Sequence, residues 1–487
     1  MKDLIVLRGL PGSGKSTFVK EKKLEPYTLS PDMFRTSYQA LQLTEEGEMT
    51  CSHKHEKNLW KHLFTLLEQR MTQGDFTVID STHTTTKEFT KYKQLAEQYG
   101  YRLVCVDFTH VPYEVALERN NQRQFHQVVP QFAMERFRAR LRDGHIPKGI
   151  QVVTPETFDA RMSLLPKDFS HYRRIHVLGD IHGCYQALRS YMPETLPHDE
   201  LFVFVGDYVD RGTENGKVMN YLLTLMNRPN VVFLEGNHEI HLAHYSNDLP
   251  SYSKREFERY TKPDLQEERV SKKALRSFCR RLHEALFFTY NGKEVLVTHG
   301  GLPLIPENLR LISTTQLIKG VGTYQTNIDA AFTSQTSSTQ YQVHGHRNLQ
   351  NLPIEASPRS FNLEGKIEMG GDLRVVVFEG ENIETHAIPN HQVSERFKMK
   401  KNSHIQENRA FLKSLRKDKS IQEKNLDKHV SSFNFKADVF NDSLWTEQNS
   451  KARGLFINTE TSEIVARSYD KFFNIESYLR TDTDKLY

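Results

Sequence analysis

The segment GLPGSGKS, Gly9 to Ser16, limits what this chain can fold into more than any other stretch. It follows the pattern G-x-x-x-x-G-K-[ST], in which glycines let backbone N–H groups curl toward phosphate oxygens. Such a loop needs a strand before it and a helix after it, whose positive end adds to the anion site. Residues 2–7 (KDLIVL) read as a short buried strand, and 16–22 open like a helix. In that setting Lys15 would neutralise the β- and γ-phosphates of ATP, and Ser16 would hold Mg²⁺ through its hydroxyl. Gly9, Gly12, Ser13, Gly14 and Thr17 complete the expected ATP cradle.

Two further apolar runs, 75–80 (DFTVID) and 101–108 (YRLVCVDF), flank a polar helical stretch at 86–99. Strands alternating with helices imply a parallel sheet with helices on both faces. Residues 112–142 are expected to be helical and are strongly basic. In SPDMFR, Asp32 and Arg35 are three apart, so a helix would place both on one face. A carboxylate near the γ-phosphate accepts the proton of an attacking hydroxyl, and an arginine steadies a phosphate. Arg119 and Arg123, four apart, are expected on one helical face, where they would neutralise charge at the transferring group. These pieces resemble the polynucleotide 5′-kinase family over roughly residues 1–165. The resemblance implies Asp32 as general base, Arg35 on the acceptor side, and Arg119 and Arg123 as lid arginines. Asp80 ends a strand as a second P-loop carboxylate does, with no role assigned to it.

Around 145–170 the text turns into a Pro- and Gly-punctuated loop, and a second set of strands follows at 174–179, 201–206, 231–235, 294–298, 341–344 and 373–379. Beyond these strand ends stand GDIHG (179–183), GDYVDRG (206–212), GNHE (236–239), THGG (298–301) and HGHR (344–347). Carboxylate, imidazole and amide ligands without thiolate favour Mn²⁺, Fe or Zn²⁺. Two such ions clamp a phosphoryl group and activate a water. In this order the pieces resemble the phosphoprotein-phosphatase branch of the calcineurin-like metallophosphoesterases, an α/β sandwich, over about 171–390. The resemblance implies Asp180 and His182 on a first metal, Asp207 bridging, and Asn237, His299 and His346 on a second, with Mn²⁺ the expected ion. It implies Arg211 as the phosphate grip and His238 as general acid, oriented by Asp210. His344 also flanks Gly345, but the family places its ligand after the glycine. The family usually carries an Asp where this chain has Glu364, which leaves that position and Asp372 without a settled role.

Net charge is only +4, so any nucleic-acid binding must come from local basic patches. The four cysteines form no metal or disulfide spacing, which fits a reducing cytoplasm. No signal peptide and no membrane span are expected. Residues 391–430 are polar and Lys-rich and read as a linker. Strand character returns at 453–458 and 463–468. Segment 450–475 resembles the opening of the adenylyltransferase domain of RNA ligases, which would put Arg453 and Lys471 in a nucleotide pocket. No K-x-x-G follows, so a partial ligase-like α+β segment at 431–487, without ligase activity, is expected.

The order kinase, phosphatase, ligase-like start is similar to the bacterial polynucleotide kinase–phosphatase family of RNA repair. It implies end-healing: ATP-dependent phosphorylation of a 5′-OH, and removal of a 3′-phosphate or 2′,3′-cyclic phosphate. The implied partners are RNA or DNA ends and an RNA ligase, separate or as a missing domain; a homodimer is compatible with the sequence. Two other enzymatic readings share the same motifs. The middle module could be a serine/threonine-type protein phosphatase or a dinucleoside polyphosphate hydrolase, fused to a small-molecule P-loop kinase.

Overall fold

The computed structural model describes residues 1–45, 47–52, 54–249 and 256–393, and beyond them 413, 416–417, 421–426, 430–435, 454–458 and 464–467. Two compact units result, Met1–Gln392 and Val393–Tyr487.

The first unit opens with a wholly parallel sheet, in the order Thr28–Leu29, Thr77–Ile79, Asp3–Arg8, Arg102–Asp107, Gln151–Val153. Asp3–Arg8 is buried along its whole length because both faces of this central strand are covered. Leu4 and Val6 pack on one face with Leu63 and Leu67 of the helix Glu56–Gln73 and Phe89 of the helix Thr86–Tyr99. Ile5 and Leu7 pack on the other with Phe18 and Phe158. Thr86–Tyr99 matches the expected helix because its ends are signalled locally. Thr85 and Glu88 form a capping box, and Gly100 closes the helix at φ 72°.

The basic stretch 112–142 is not one helix. It breaks into Tyr113–Asn121 and Gln131–Asp143. Pro130 cannot donate to a preceding carbonyl and pushes Val129 out of helical geometry. The Asn120 side chain then ties off the loop, donating to Val129 O at 2.8 Å and accepting from Val129 N at 3.0 Å.

Two facing sheets follow. The first runs Val231–Phe233, Glu200–Phe204, Arg174–Leu178, Asp372–Glu379, Asn382–Pro389, with its first three strands parallel. The second centres on Ser360–Asn362, Gln340–His344, Lys293–Thr298 and Ala285–Tyr290. Val177, Val203, Phe378, Phe288, Val297 and Val343 fill the space between them. Helices Tyr185–Tyr191, Asn215–Leu225 and Lys272–Cys279 cover the outer face of the first sheet. The strand Ala285–Tyr290, absent from the expected set, is a hairpin partner of Lys293–Thr298. Asn291 and Gly292, both at positive φ, make its two-residue turn.

In the second unit Ile421–Asn425, Val430–Phe435, Gly454–Asn458 and Ile464–Arg467 form an antiparallel sheet. The stretch expected as linker, 391–430, therefore contains a strand. IQEKN has no apolar alternation, and it is held by backbone pairing to its neighbour. Arg453 and Lys471 lie outside the described residues. Among the described residues no helix is long and apolar enough to cross a membrane.

Candidate active sites

Three adjacent strands of the parallel sheet end on one rim, where open α/β sheets place their ligands. Asp3–Arg8 leads into the glycine loop, Thr77–Ile79 into Asp80, and Thr28–Leu29 into Ser30 and Asp32. The loop lies flat on the helix Tyr113–Asn121. A Cβ at Gly12 would sit 2.1 Å from Ala116 O, and its φ of +79° also favours glycine. Lys15 folds back over the loop and donates to the carbonyls of Gly9 (2.9 Å) and Leu10 (2.7 Å). Burial lowers its pKa to about 8. Ser16 Oγ donates to Asp80 Oδ2 at 2.8 Å, and burial raises the Asp80 carboxyl. The Ser13 hydroxyl is buried without a partner in the structure, a free donor within the cradle. Thr17 is exposed in the first helical turn.

Asp32 and Arg35 sit on the helix Pro31–Tyr38, whose first turn is capped by Ser30 Oγ accepting from Asp32 N at 3.3 Å. Arg35 pairs with Asp32 and with Glu56, its Nε lying 2.6 Å from Glu56 Oε1. Arg123 lies past the end of the helix Tyr113–Asn121 and so does not share a helical face with Arg119. Its NH1 donates to Gln127 O at 3.0 Å, which turns NH2 to 3.9 Å from Asp32 Oδ2. Arg119 stays exposed on the helix. After burial, the charge of Asp80 acts most on Lys15, followed by those of Arg123 and Asp32.

The second constellation stands just beyond the carboxyl ends of five strands. Asp180 and His182 follow Arg174–Leu178, and Asp207 follows Glu200–Phe204. Asn237 and His238 follow Val231–Phe233, His299 follows Lys293–Thr298, and His346 follows Gln340–His344. His182, Asp207, Asp210, Arg211 and His346 all have positive φ, a strain that aims side chains inward. Gly345 makes room for this: a Cβ there would fall 2.0 Å from Asp180 Oδ1.

Asp207 Oδ2 is the hub. It lies 3.2 Å from His299 Nε2, 3.6 Å from His182 Nε2 and 3.9 Å from His238 Nε2. Asn237 Oδ1 is 3.3 Å from His299 Nε2. Ligand atoms converge in three overlapping groups: Asp207, His299, His346; Asp180, His182, Glu364; and His182, Asp207, His238. Glu364 thus joins the centre, whereas Asp372 pairs with Pro389 along its strand. His344 is engaged elsewhere, its Nε2 3.0 Å from Asp329 Oδ1.

Burial, then Arg211, takes His182 down to about 3, and burial takes His346 to about 2. Both rings are therefore neutral and able to ligate. Burial, then the Glu364 charge, raises Asp180 well above the carboxylate range. Asp207 is buried too, yet His299 and His238 hold it well below that range. Asp180 Oδ1 and His346 Nε2 are buried without a partner. Orphaned acceptors in a carboxylate–imidazole cluster fit hard or borderline divalent metals.

Beside the cluster, His238 Nδ1 lies 2.7 Å from Asp210 Oδ2, and Asp210 is also bonded by Thr261 Oγ1. Burial opposes protonation of His238, but Asp207 and Asp210 outweigh it and raise the ring to about 9. Arg211 NH1 lies 3.2 Å from His182 Nε2 and 3.1 Å from Glu368 Oε1.

An AAA-domain family model matches residues 4–143, a calcineurin-like phosphoesterase model matches 173–378, and an RNA ligase model matches 451–487. The three modules stand in the order of the bacterial polynucleotide kinase–phosphatase family. Serine/threonine-protein phosphatase 2 of Escherichia coli is 45% identical over 71 residues, 14% of this chain and 31% of that protein. The chain thus spans about a third of the length of the first curated relatives it matches. The asymmetrical bis(5′-nucleosyl)-tetraphosphatase PrpE of Halalkalibacterium halodurans is 26% identical over 246 residues, 46% of this chain and 97% of that protein. A solved protein serine/threonine phosphatase from Saccharomyces cerevisiae is 17% identical, covering 45% of this chain and 80% of its own, at a TM-score of 0.32.

Three residues that support the second constellation escape sequence reading. Glu239 closes GNHE and accepts from Gly236 N (2.7 Å), Asp207 N (2.9 Å) and Tyr208 N (3.0 Å), tying two ligand loops together. Its motif was visible, but not that its carboxylate serves backbone amides. Glu368 and Thr261 carry no local signal, since each is defined by a partner far away in sequence.

Proposed function

We propose that this chain heals broken nucleic-acid ends, RNA in particular. Its first module transfers the γ-phosphoryl group of ATP to a 5′-hydroxyl. Its second removes a 3′-phosphate or a 2′,3′-cyclic phosphate. The observation that carries this reading is the glycine loop with its Ser16–Asp80 bond, and the Asp32–Arg35 pair on the helix Pro31–Tyr38, in a chain whose residues 451–487 match an RNA ligase. A kinase for hydroxyl ends, a phosphoesterase and a ligase-like segment make chemical sense together at a single break.

In the kinase pocket Asp32 accepts the proton of the attacking hydroxyl while Arg35 fixes its carboxylate and faces the acceptor. Lys15, Arg119 and Arg123 offset charge on the transferring phosphoryl group. Ser16 and Asp80 would hold the Mg²⁺ that accompanies ATP. In the phosphoesterase pocket Asp180, His182, Asp207, Asn237, His299 and His346 would hold two divalent ions, Mn²⁺ being the proposed pair. Bound there, such ions supply phosphoryl polarisation and an activated water. Arg211 grips the phosphate. His238, its Nδ1 fixed by Asp210, delivers a proton from Nε2 to the leaving oxygen.

The test feeds purified protein an RNA with a 5′-OH and a 3′-phosphate, with ATP, Mg²⁺ and Mn²⁺, and reads both ends by mass spectrometry. Lys15→Ala or Asp32→Ala should abolish 5′ phosphorylation and spare 3′ dephosphorylation, and Asp207→Ala should do the reverse. A wild-type protein that leaves both ends untouched sinks the reading.

A second reading is dinucleoside polyphosphate cleavage, favoured by the PrpE relative that the middle module spans almost end to end. It prevails if diadenosine tetraphosphate is cleaved with a higher kcat/KM than the RNA 3′-phosphate.

A further inference from the structure

A loop that none of the metal-site motifs contains overhangs the phosphoesterase centre. Thr323 N donates to Thr326 Oγ1 at 3.0 Å and Thr326 N returns to Thr323 O at 3.0 Å, which closes a tight turn with Tyr324 at its tip. Arg347 clamps this turn from the chain segment that carries His346. Its NH1 donates to Thr323 O at 2.6 Å and its NH2 to Val321 O at 2.7 Å. Arg347 is buried, and the fit is close: a Cβ at Gly320 would fall 2.1 Å from its NH2. Gln350 adds a bond to Gln325 O at 3.4 Å. The loop is therefore fastened on both sides of Tyr324.

The clamp sets the Tyr324 ring 5.1 Å, centroid to centroid, from the ring of His346 at an interplanar angle of 45°. Tyr324 nevertheless remains 52% exposed. A large aromatic held against a metal-ligand candidate, with half its surface open, presents a flat apolar face at the mouth of an anion pocket. Nothing in the metal chemistry needs such a face. A ligand whose phosphate is joined through a sugar to a flat base does, because every nucleobase stacks on an aromatic ring whatever its sequence.

We propose that Tyr324, held by Arg347, is the specificity-determining residue on which the phosphoesterase pocket stacks the terminal nucleoside of its substrate. This rests on the end-healing reading above and adds to it how the pocket prefers nucleoside phosphates over aliphatic phosphoesters.

The full-length protein and its Tyr324→Ala and Tyr324→Phe variants, loaded with Mn²⁺, are assayed on adenosine 3′-monophosphate, glycerol 2-phosphate and O-phosphotyrosine. Tyr324→Ala should raise KM for the nucleotide roughly tenfold, the scale of one lost base stack, while kcat stays within about threefold. Tyr324→Phe keeps the ring and should stay within about twofold of wild type, and glycerol 2-phosphate should respond to neither change. Calorimetric binding of adenosine 3′-monophosphate to metal-free protein, where nothing turns over, should weaken by a similar factor in Tyr324→Ala only. Equal losses on nucleotide and glycerol 2-phosphate would overturn the proposal, as would an unchanged nucleotide KM. A larger loss on phosphotyrosine than on nucleotide would assign the ring to a phosphopeptide instead. Wild-type protein inert toward 3′-phosphorylated RNA would remove the end-healing reading and this inference with it; active protein indifferent to Tyr324→Ala removes the inference alone.

Discussion

The ammonium of Lys2 lies 2.8 Å from the carboxylate of Glu235, joining the first strand of the P-loop sheet to the loop that carries Asn237 and His238. Lys2 N also donates to Glu284 Oε1 at 3.0 Å, and Thr314 Oγ1 meets the same oxygen at 3.1 Å. Thr314 N in turn donates to Gly74 O at 3.0 Å. The P-loop sheet and the phosphoesterase-like sheets are therefore stitched together one residue before the loop Gly236–Glu239. Side chains at 23% and 19% exposure lie between surface and buried pairs. Glu235→Ala should accordingly cost about 1–2 kcal/mol. Urea unfolding of the two single variants and of Lys2→Ala/Glu235→Ala closes a double-mutant cycle. A coupling energy indistinguishable from zero would make the contact incidental.

His238 and Asp210 give a prediction about leaving groups and its pH dependence. If His238 protonates the leaving oxygen, His238→Ala should slow hydrolysis of an alkyl ester such as a 3′-phosphate by about 10²-fold or more. It should slow p-nitrophenyl phosphate far less, because that leaving group needs no proton. The Asp210 carboxylate favours the protonated ring, so the acid form is present below the raised pKa and lost above it. Asp210→Asn should then move the basic limb of the kcat profile to lower pH, by roughly one unit. An unmoved limb would detach Asp210 from that proton.

What could be read in advance was what lies in short contiguous pieces beyond strand ends. Lys15, Asp180, Asp207 and His299 are each flanked by glycines that the geometry demands, so motif and structure coincide. The rest depended on distance. Glu368 is known only through Arg211, Thr261 only through Asp210, and Tyr324 only through Arg347. No periodicity encodes such pairings. The Arg119–Arg123 spacing misled because the helix ends at Asn121, where the Asn120 side chain turns to bond Val129 across the following loop. Ile421–Asn425 misled because a strand held by backbone pairing can be polar throughout most of its length.

His83, just after Asp80, is a buried base with two partners, Leu7 O at 2.6 Å and the Tyr92 hydroxyl at 3.2 Å. Burial takes it down to about 4. An unfolded histidine titrates near 6.5, so between these values the unfolded chain binds the extra proton and stability rises with pH. The His83 contribution is whole above about pH 6.5 and is lost as pH falls toward 4. Its slope is about 1.4 kcal/mol per pH unit within that window. Melting curves from pH 7.5 to 5 should show a smaller acid-side loss for His83→Gln than for wild type. Parallel losses would mean that other groups carry the dependence.

Glu364 lies in FNLEGK, and its side chain gathers with Asp180 and His182 at the centre. It is buried, and Lys366 N donates to its Oε1 at 2.6 Å, which restrains the longer side chain. Its charge acts on Asp180 second only to burial, and both raise that carboxyl. Two carboxylates so close repel unless a cation lies between them, so Glu364 should matter most to metal retention. Glu364→Gln keeps the shape and removes the charge. It should weaken metal affinity about 10- to 100-fold, the usual scale for groups supporting a ligand shell. The check is metal content by mass spectrometry after dialysis against graded chelator, with circular dichroism confirming the fold. Glu364→Asp, which keeps the charge but draws the carboxylate back by one methylene, should fall between the two. If Glu364→Gln retains metal as firmly as wild type, the carboxylate serves only Lys366 and its turn.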